Sequence, residues 1–200
     1  MLFRNVTDLI KIPIFPLAIF PLPGELVPLH IFEPRYRQLL EDAEKRDIAF
    51  GIFFNHSANE GKLGSLVKLE SLIKRYQGGE SDIIVKCFDL FRMSSLQETF
   101  RDKLYPGGEV EPTNVDLKEP VSASLQSEFE IYRKLLLLTR HEEITSIYHI
   151  ANELSLDNYE RLKFVQTPAT KKESFLFSRL RYQTHLAQEA ERVKDVFHLN

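Results

Sequence analysis

His149 and Glu153 are four residues apart, a spacing that on a helix sets an imidazole and a carboxylate on one face as two ligands of a metal site. No third ligand is spaced to join them, so the pair reads as two solvent-facing side chains. His141-Glu142 is followed by Thr145 where a zinc-protease helix needs a second histidine, and Gly61-Lys62 is followed by Leu63 where a phosphate-binding loop needs Ser or Thr. Neither a dinucleotide-binding G-x-G-x-x-G nor a nucleophile elbow G-x-S-x-G occurs. His30 lies in an apolar stretch and reads as a satisfied, partly buried histidine rather than a general base. Cys87 sits between Val85 and Phe88, where a buried, inert thiol is expected, because a thiolate needs an electropositive, accessible setting. Glu41, Asp42 and Glu44 read as the solvated face of a helix. The basic pairs Lys74-Arg75, Lys171-Lys172 and Arg179/Arg181 form no stripe, there is no tryptophan, and the net charge is −3. A nucleic-acid platform of cations and aromatics is thus not expected. The chemistry-bearing residues give no enzyme, no cofactor and no metal site.

The elements that carry these residues come in two rhythms. From Ile12 to about Thr113 the chain shows short apolar runs between turn residues, and all eight glycines lie at or before Gly108. Strands are expected at Ile12–Phe20 and Glu25–Phe32, joined by Pro21-Leu22-Pro23-Gly24. Their prolines confine them to edges or bulges. Pro34 opens a helix to about Arg46 with Tyr36, Leu39, Leu40 and Ala43 as its apolar stripe. Further strands are expected at Ile48–Phe54, Leu66–Tyr76, Asp82–Ser94 and Glu109–Thr113. The second and third of these flank Gln77-Gly78-Gly79-Glu80-Ser81, the clearest hairpin signal in the chain.

From about Glu119 the period becomes helical. Helices are expected at Ser122–Leu138 (Leu125, Phe129, Tyr132, Leu136 inward), around Ile144–Leu154, at Tyr159–Val165 behind an Asp157/Glu160 capping box, and from a Thr170/Glu173 capping box to about Val196. The last would place Leu176, Leu180, Ala187, Ala190 and Val193 inward. Two subdomains are expected, 1–117 rich in β-structure and 118–200 helical.

At 200 residues the chain is long enough to bury about 70% of its unfolded surface. Its single cysteine excludes an internal disulfide framework, and a reducing, cytoplasmic compartment is expected. No apolar stretch reaches the roughly 18 residues of a membrane helix. The run Ile12–Pro23 carries four prolines behind Asp8 and Lys11, and it is read as mature chain rather than a signal peptide.

The string Ile12-Pro13-Ile14-Phe15-Pro16-Leu17, then Pro23-Gly24, then Pro28-Leu29-His30-Ile31-Phe32-Glu33-Pro34-Arg35-Tyr36-Arg37 resembles the opening of the Lon N-terminal domain, the substrate-binding domain of ATP-dependent Lon proteases. Leu63-Gly64-Ser65-Leu66-Val67, Asp82–Met93 and Glu109-Val110-Glu111-Pro112 are similar to later strands of that family, with Ser65 for the usual threonine and an atypical Cys87-Phe88-Asp89. The resemblance implies an α+β fold: a PUA-like, bent, mostly antiparallel β pseudo-barrel with one inserted helix, then a C-terminal α-helical bundle. It also implies a stand-alone version without ATPase or peptidase. The function implied is a non-catalytic module binding unfolded or tagged protein segments, or a partner in proteolysis such as a separate ATPase or protease subunit.

One mode would be addition of an extended peptide to an open sheet edge. Binding is assigned to Glu33, Arg35 and Arg37 at the helix start, beside an apolar wall. The plainer reading has Glu33 and Arg37 paired with each other and Arg35 facing solvent. The rivals are RNA binding, by analogy with PUA-like folds, and a small-ligand pocket. Oligomeric state stays open.

Overall fold

The computed structural model describes residues 9–118, 121–136 and 146–197, with side chains as far as residue 190. Six strands and one helix make up the first of two compact units, which ends at Val115. The strands are β1 (Ile10–Leu17), β2 (Leu26–Ile31), β3 (Phe50–Phe54), β4 (Leu63–Arg75), β5 (Ser81–Gln97) and β6 (Gly107–Pro112), and α1 (Pro34–Arg46) lies between β2 and β3. The sheet order is β2-β5-β4-β3-β1-β6, and β6 pairs back onto β5. That last pairing closes β5, β4, β3, β1 and β6 into a ring and leaves β2 outside it. All pairings are antiparallel except β1 with β3. This is the bent, mostly antiparallel pseudo-barrel with an inserted helix that the resemblance implied.

β5 makes the arrangement possible. At 17 residues it is long enough to offer Ser81–Lys86 to β2 and Phe91–Gln97 to β6 along one side, while β4 runs along the other. Register shifts at Leu66/Val67, Leu69/Ser71 and Leu72/Lys74 bend the β4–β5 pair, as bulges do. Side chains alternate along its first half, with Ile83, Val85 and Cys87 buried and Lys86 and Phe88 exposed.

Two apolar clusters result. One packs α1 through Tyr36, Leu39 and Leu40 against Phe15, Phe50, Val67 and Val85. The other holds Ile12, Ile14, Leu66, Phe91, Met93 and Val110. α1 follows its sequence signals: Pro34 stands in the first turn, Lys45 and Arg46 in the last, and Asp47 ends it at φ 50.

The second unit, from Asp116, holds α2 (Ala123–Leu135), α3 (Ile147–Glu153), α4 (Asn158–Gln166) and α5 (Ala169–Phe197). The side chains of Ser122, Ser146 and Asp157 accept the first free N–H groups of α2, α3 and α4, and Asp157 with Glu160 forms the expected capping box. Leu125, Phe129, Leu176 and Leu180 are fully buried. Tyr132 donates to Gln183 Oε1 at 2.8 Å, and Gln183 Nε2 donates to Leu154 O at 2.6 Å.

Three helical expectations need correction. Thr170 is not a cap, because α5 already starts at Ala169; Glu173 instead accepts from Ser122 N at 2.8 Å. Leu136 and Ala190, expected inward, are exposed: the first ends α2 and the second lies beyond the buried stretch of α5. Leu137, Leu138, His141, Glu142, Ile144 and Thr145 lie outside the described residues, as does the side chain of Val193.

Candidate peptide-binding surface

Among the described residues β2 has a strand neighbour on one side only. Gly24 N donates to Cys87 O at 2.8 Å and Cys87 N to Glu25 O at 2.9 Å. Counted by twos from that bonded position, Val27, Leu29 and Ile31 turn their backbone groups toward β5. Leu26, Pro28 and His30 turn theirs to the open side. Pro28 has no N–H to leave unpaired there, which is where a strand tolerates proline. The open edge therefore presents N–H and C=O groups at Leu26 and His30, with an acceptor alone at Pro28.

Apolar surface accompanies this edge. Leu26 is 54% exposed and Phe32 57%, high for side chains of that size. His30 stacks against Phe32 and meets the edge of Tyr76, each at 6.0 Å between centroids. Across the register His30 faces Asp82. Tyr76 Oη donates to Asp82 Oδ2 at 2.6 Å, and His30 Nδ1 lies 2.7 Å from Asp82 Oδ1. These bonds, Tyr76's first and His30's second, hold the Asp82 carboxyl below the usual range; the same bond raises the Tyr76 phenol. An ionised Asp82 only accepts, so Nδ1 of His30 carries the proton. His30, expected to be partly buried, is exposed, its side chain 53% accessible, and it is oriented by a carboxylate.

Glu33, Arg35 and Arg37 follow directly at the α1 start, but they do not form one cluster of free tips. Glu33 is the N-cap without a capping bond; it accepts from Arg35 Nε at 2.9 Å, and Arg35 lies 4.6 Å over the Tyr36 ring. Arg37 reaches away from Glu33. It donates to Gly78 O at 2.7 Å and to Glu80 Oε1 at 3.0 Å. The expected Glu33–Arg37 pair is therefore replaced by two others, because the β4–β5 turn comes within reach of α1. Gly79, at φ 90, leaves the room: a Cβ there would stand 2.7 Å from Arg37 Nη1. Arg37→Ala should free the turn and cost about 1 kcal/mol, as expected for a half-exposed charged contact. Faster amide exchange at Tyr76 and Gly79 would show it, and unchanged exchange there would refute the assignment.

The other sequence candidates resolve plainly. Cys87 is buried against Pro21 O and Asp89 O, and burial pushes its thiol far up. Asp42, expected on a solvated helix face, is buried; Lys103, Tyr105 and Arg46 surround it. Arg46 is four residues on, but Lys103 and Tyr105 come from 61 and 63 residues on, which no local pattern signals. His149 and Glu153 share α3, and among the described residues no group of three His, Cys, Asp or Glu is placed to hold a metal ion. No helix among them is long and apolar enough to cross a membrane. The signal missed in the sequence was the alternation of Leu26, Pro28 and His30, which by itself sets three residues on one side of an edge strand.

The fold is of the α+β class, a five-strand ring with an inserted helix and an outer strand paired on one side among the described residues, and comparison supplies the family. The model of the ATP-dependent protease La (LON) substrate-binding domain matches residues 11–172, and the chain belongs to that family. The chain is similar in fold to a Lon N-terminal domain protein from Xanthomonas campestris, at 22% identity and TM-score 0.62, over 79% of this chain and 90% of that one. It is likewise similar to the N-terminal domain of the Mycobacterium avium complex Lon protease, at 16% identity and TM-score 0.61, over 86% and 98%. No curated protein matches. The family domain is a substrate-recognition module, itself non-catalytic.

Proposed function

We propose that this chain binds unfolded or tagged polypeptide segments, or the exposed segment of a partner in proteolysis, through the open side of β2. The observation that carries this reading is the edge at Leu26–His30, which no described strand pairs, with exposed Leu26 and Phe32 beside it. A strand laid there gains backbone hydrogen bonds without regard to sequence, and the two apolar side chains add affinity for apolar residues of the client. Pro28 interrupts the donor row, which keeps the edge from pairing with copies of itself. Glu33 and Arg35 stand at the end of the strand, where they would meet polar groups of the bound segment. This activity needs no cofactor and no nucleic acid.

The test is fluorescence anisotropy with a labelled, reduced and carboxymethylated polypeptide against its folded parent. Unfolded chain should bind and folded chain should not. The double variant Leu26→Lys/Phe32→Ser should weaken binding about tenfold, the equivalent of 1.4 kcal/mol, without changing the melting temperature, since both side chains are largely in solvent. Absence of binding to the unfolded chain, or wild-type affinity in the variant, would overturn the proposal; salt-sensitive binding of RNA instead would replace it.

A further inference from the structure

A cavity of about 210 Å³ opens in the β-rich unit, and its lining combines apolar walls with a cationic mouth. Ile12, Ile48 and Phe100 supply the walls; Lys11, Arg46, Arg101 and Lys103 supply the charge. These cations come from β1, the end of α1 and the segment before β6, so no sequence window shows them together. Two carboxylates answer them. Asp42 takes Lys103 at 2.8 Å and Arg46 at 3.7 Å, and Glu109 takes Lys11 at 3.3 Å. Arg101 has its guanidinium 5.1 Å over the Phe100 ring and no carboxylate partner among the described residues. In a protein of net charge −3 this mouth carries a local positive excess.

The wall bearing Arg101 is fixed in place. Phe100 N donates to Tyr105 O at 2.8 Å, Leu104 N to Gln38 Oε1 at 2.7 Å, and Lys103 is tied to Asp42 of α1. Gly107 leaves space for the Phe100 ring, since a Cβ there would lie 2.9 Å from Phe100 Cβ. Arg101 itself stands at φ 56, a left-handed conformation that an arginine adopts only at a cost of about 1–2 kcal/mol. A rigid, strained presentation of an unneutralised cation beside an apolar hollow is the arrangement of a site prepared for an anion.

We infer that this cavity receives the C-terminal residue of a bound polypeptide, its α-carboxylate at Arg101 and Lys11 and its apolar side chain against Ile12, Ile48 and Phe100. The volume supports an end group. It falls below the roughly 300–1,000 Å³ of sites that enclose a drug-sized ligand, so it suits one residue of a longer chain. The charge supports a carboxylate, and the apolar walls exclude a bare inorganic anion, which would lose hydration there without gaining contacts. This inference rests on the polypeptide-binding reading above and narrows it to clients that end in an apolar residue.

The experiment uses the full chain and a fluorescein-labelled, unstructured apolar decapeptide ending in phenylalanine, as free acid and as C-terminal amide. The acid should bind about tenfold tighter, the size of one charge-assisted hydrogen bond, and the gap should narrow with added salt. Arg101→Gln should bring the acid down to the amide without changing the amide. N-acetylphenylalanine should compete only far above the peptide's own concentration. Equal binding of acid and amide, or an undiminished gap in Arg101→Gln, overturns the end-group site while polypeptide recognition stands. N-acetylphenylalanine competing at the peptide's concentration assigns the cavity to a small carboxylate and overturns the polypeptide occupant. No binding of either peptide removes both readings.

Discussion

Gly64→Ala should destabilise the β-rich unit by about 3 kcal/mol, the upper end of ordinary overpacking. Gly64 lies in β4 directly opposite Phe91 of β5. A Cβ built on it would run into the Phe91 ring and would stand 2.7 Å from the carbonyl oxygen of Ile52. The ring cannot step aside, because Phe91 is fully buried and Gly51 of β3 already lies under it, its own Cβ position 2.7 Å from Phe91 Cε1. The carbonyl cannot move either, because Ile52 pairs with Ser65 in the ladder between β3 and β4. Two glycines on neighbouring strands thus make the bed in which one aromatic ring lies, and the ring covers the backbone they expose.

A shift of about 12 °C in the melting transition of that unit is expected from this loss. Gly64→Ala/Phe91→Leu should recover part of it, since the smaller side chain removes one collision and leaves the other. A wild-type midpoint for Gly64→Ala would show that β3 and β4 can part at Ile52, and with it that the ring of strands is less tightly closed than its pairings indicate.

The glycine-phenylalanine bed marks the limit of what the sequence shows. Phe91 stands within the expected strand Asp82–Ser94 and Gly64 just ahead of the expected strand Leu66–Tyr76, and the contact between them depends on register, which a hydrophobic pattern constrains only modulo two. For the same reason the strand positions were legible to within a few residues, while the closure of β6 onto β5 was not: β5 extends to Gln97, past the expected end at Ser94, and Ser95, Leu96 and Gln97 supply half of the pairing. Local signals held where the chemistry is local. Pro34 at the start of α1, Asp157 with Glu160 ahead of α4, and Gly78-Gly79 in the β4–β5 turn were all readable. Glu173 failed because its side chain bonds to Ser122, 51 residues away.

The candidate site divides in the same way. An irregular, proline-bearing edge strand could be read from Pro28. The basic mouth formed by Lys11, Arg46, Arg101 and Lys103 could not, because it is assembled from three separate stretches.

Asp42→Asn should cost about 2 kcal/mol near neutral pH, and the cost should disappear in acid. Asp42 is buried on α1, and burial alone would raise its carboxyl. The hydrogen bonds from Lys103 and Tyr105 outweigh it, and together with the charges of Lys103 and Arg46 they hold the carboxyl below the usual carboxylate value. Tyr105 Oη donates to Asp42 Oδ2 at 2.8 Å, and that phenol is pushed far up, first by burial and then by the bond itself, so it stays a donor throughout the accessible pH range.

Asparagine keeps an acceptor for Tyr105 but removes the charge that offsets Lys103, whose side chain is largely buried. The sign of the pH dependence follows from the depressed carboxyl. A group that ionises more easily in the folded state contributes stability above its unfolded value of about 4, and the contribution fades as pH falls through the folded value. The wild type should therefore exceed Asp42→Asn by a constant margin from pH 7 down to about 5, and the two should converge as pH falls well below 4. Urea midpoints of the β-rich unit at pH 7, 5, 3 and 2 measure this. A margin that persists undiminished at pH 2 would mean that Asp42 acts by shape alone, and no margin at pH 7 would mean that Lys103 finds water as good a partner. Because Lys103 and Tyr105 flank the cavity mouth, the same carboxylate that stabilises the fold also holds the wall on which Arg101 is displayed.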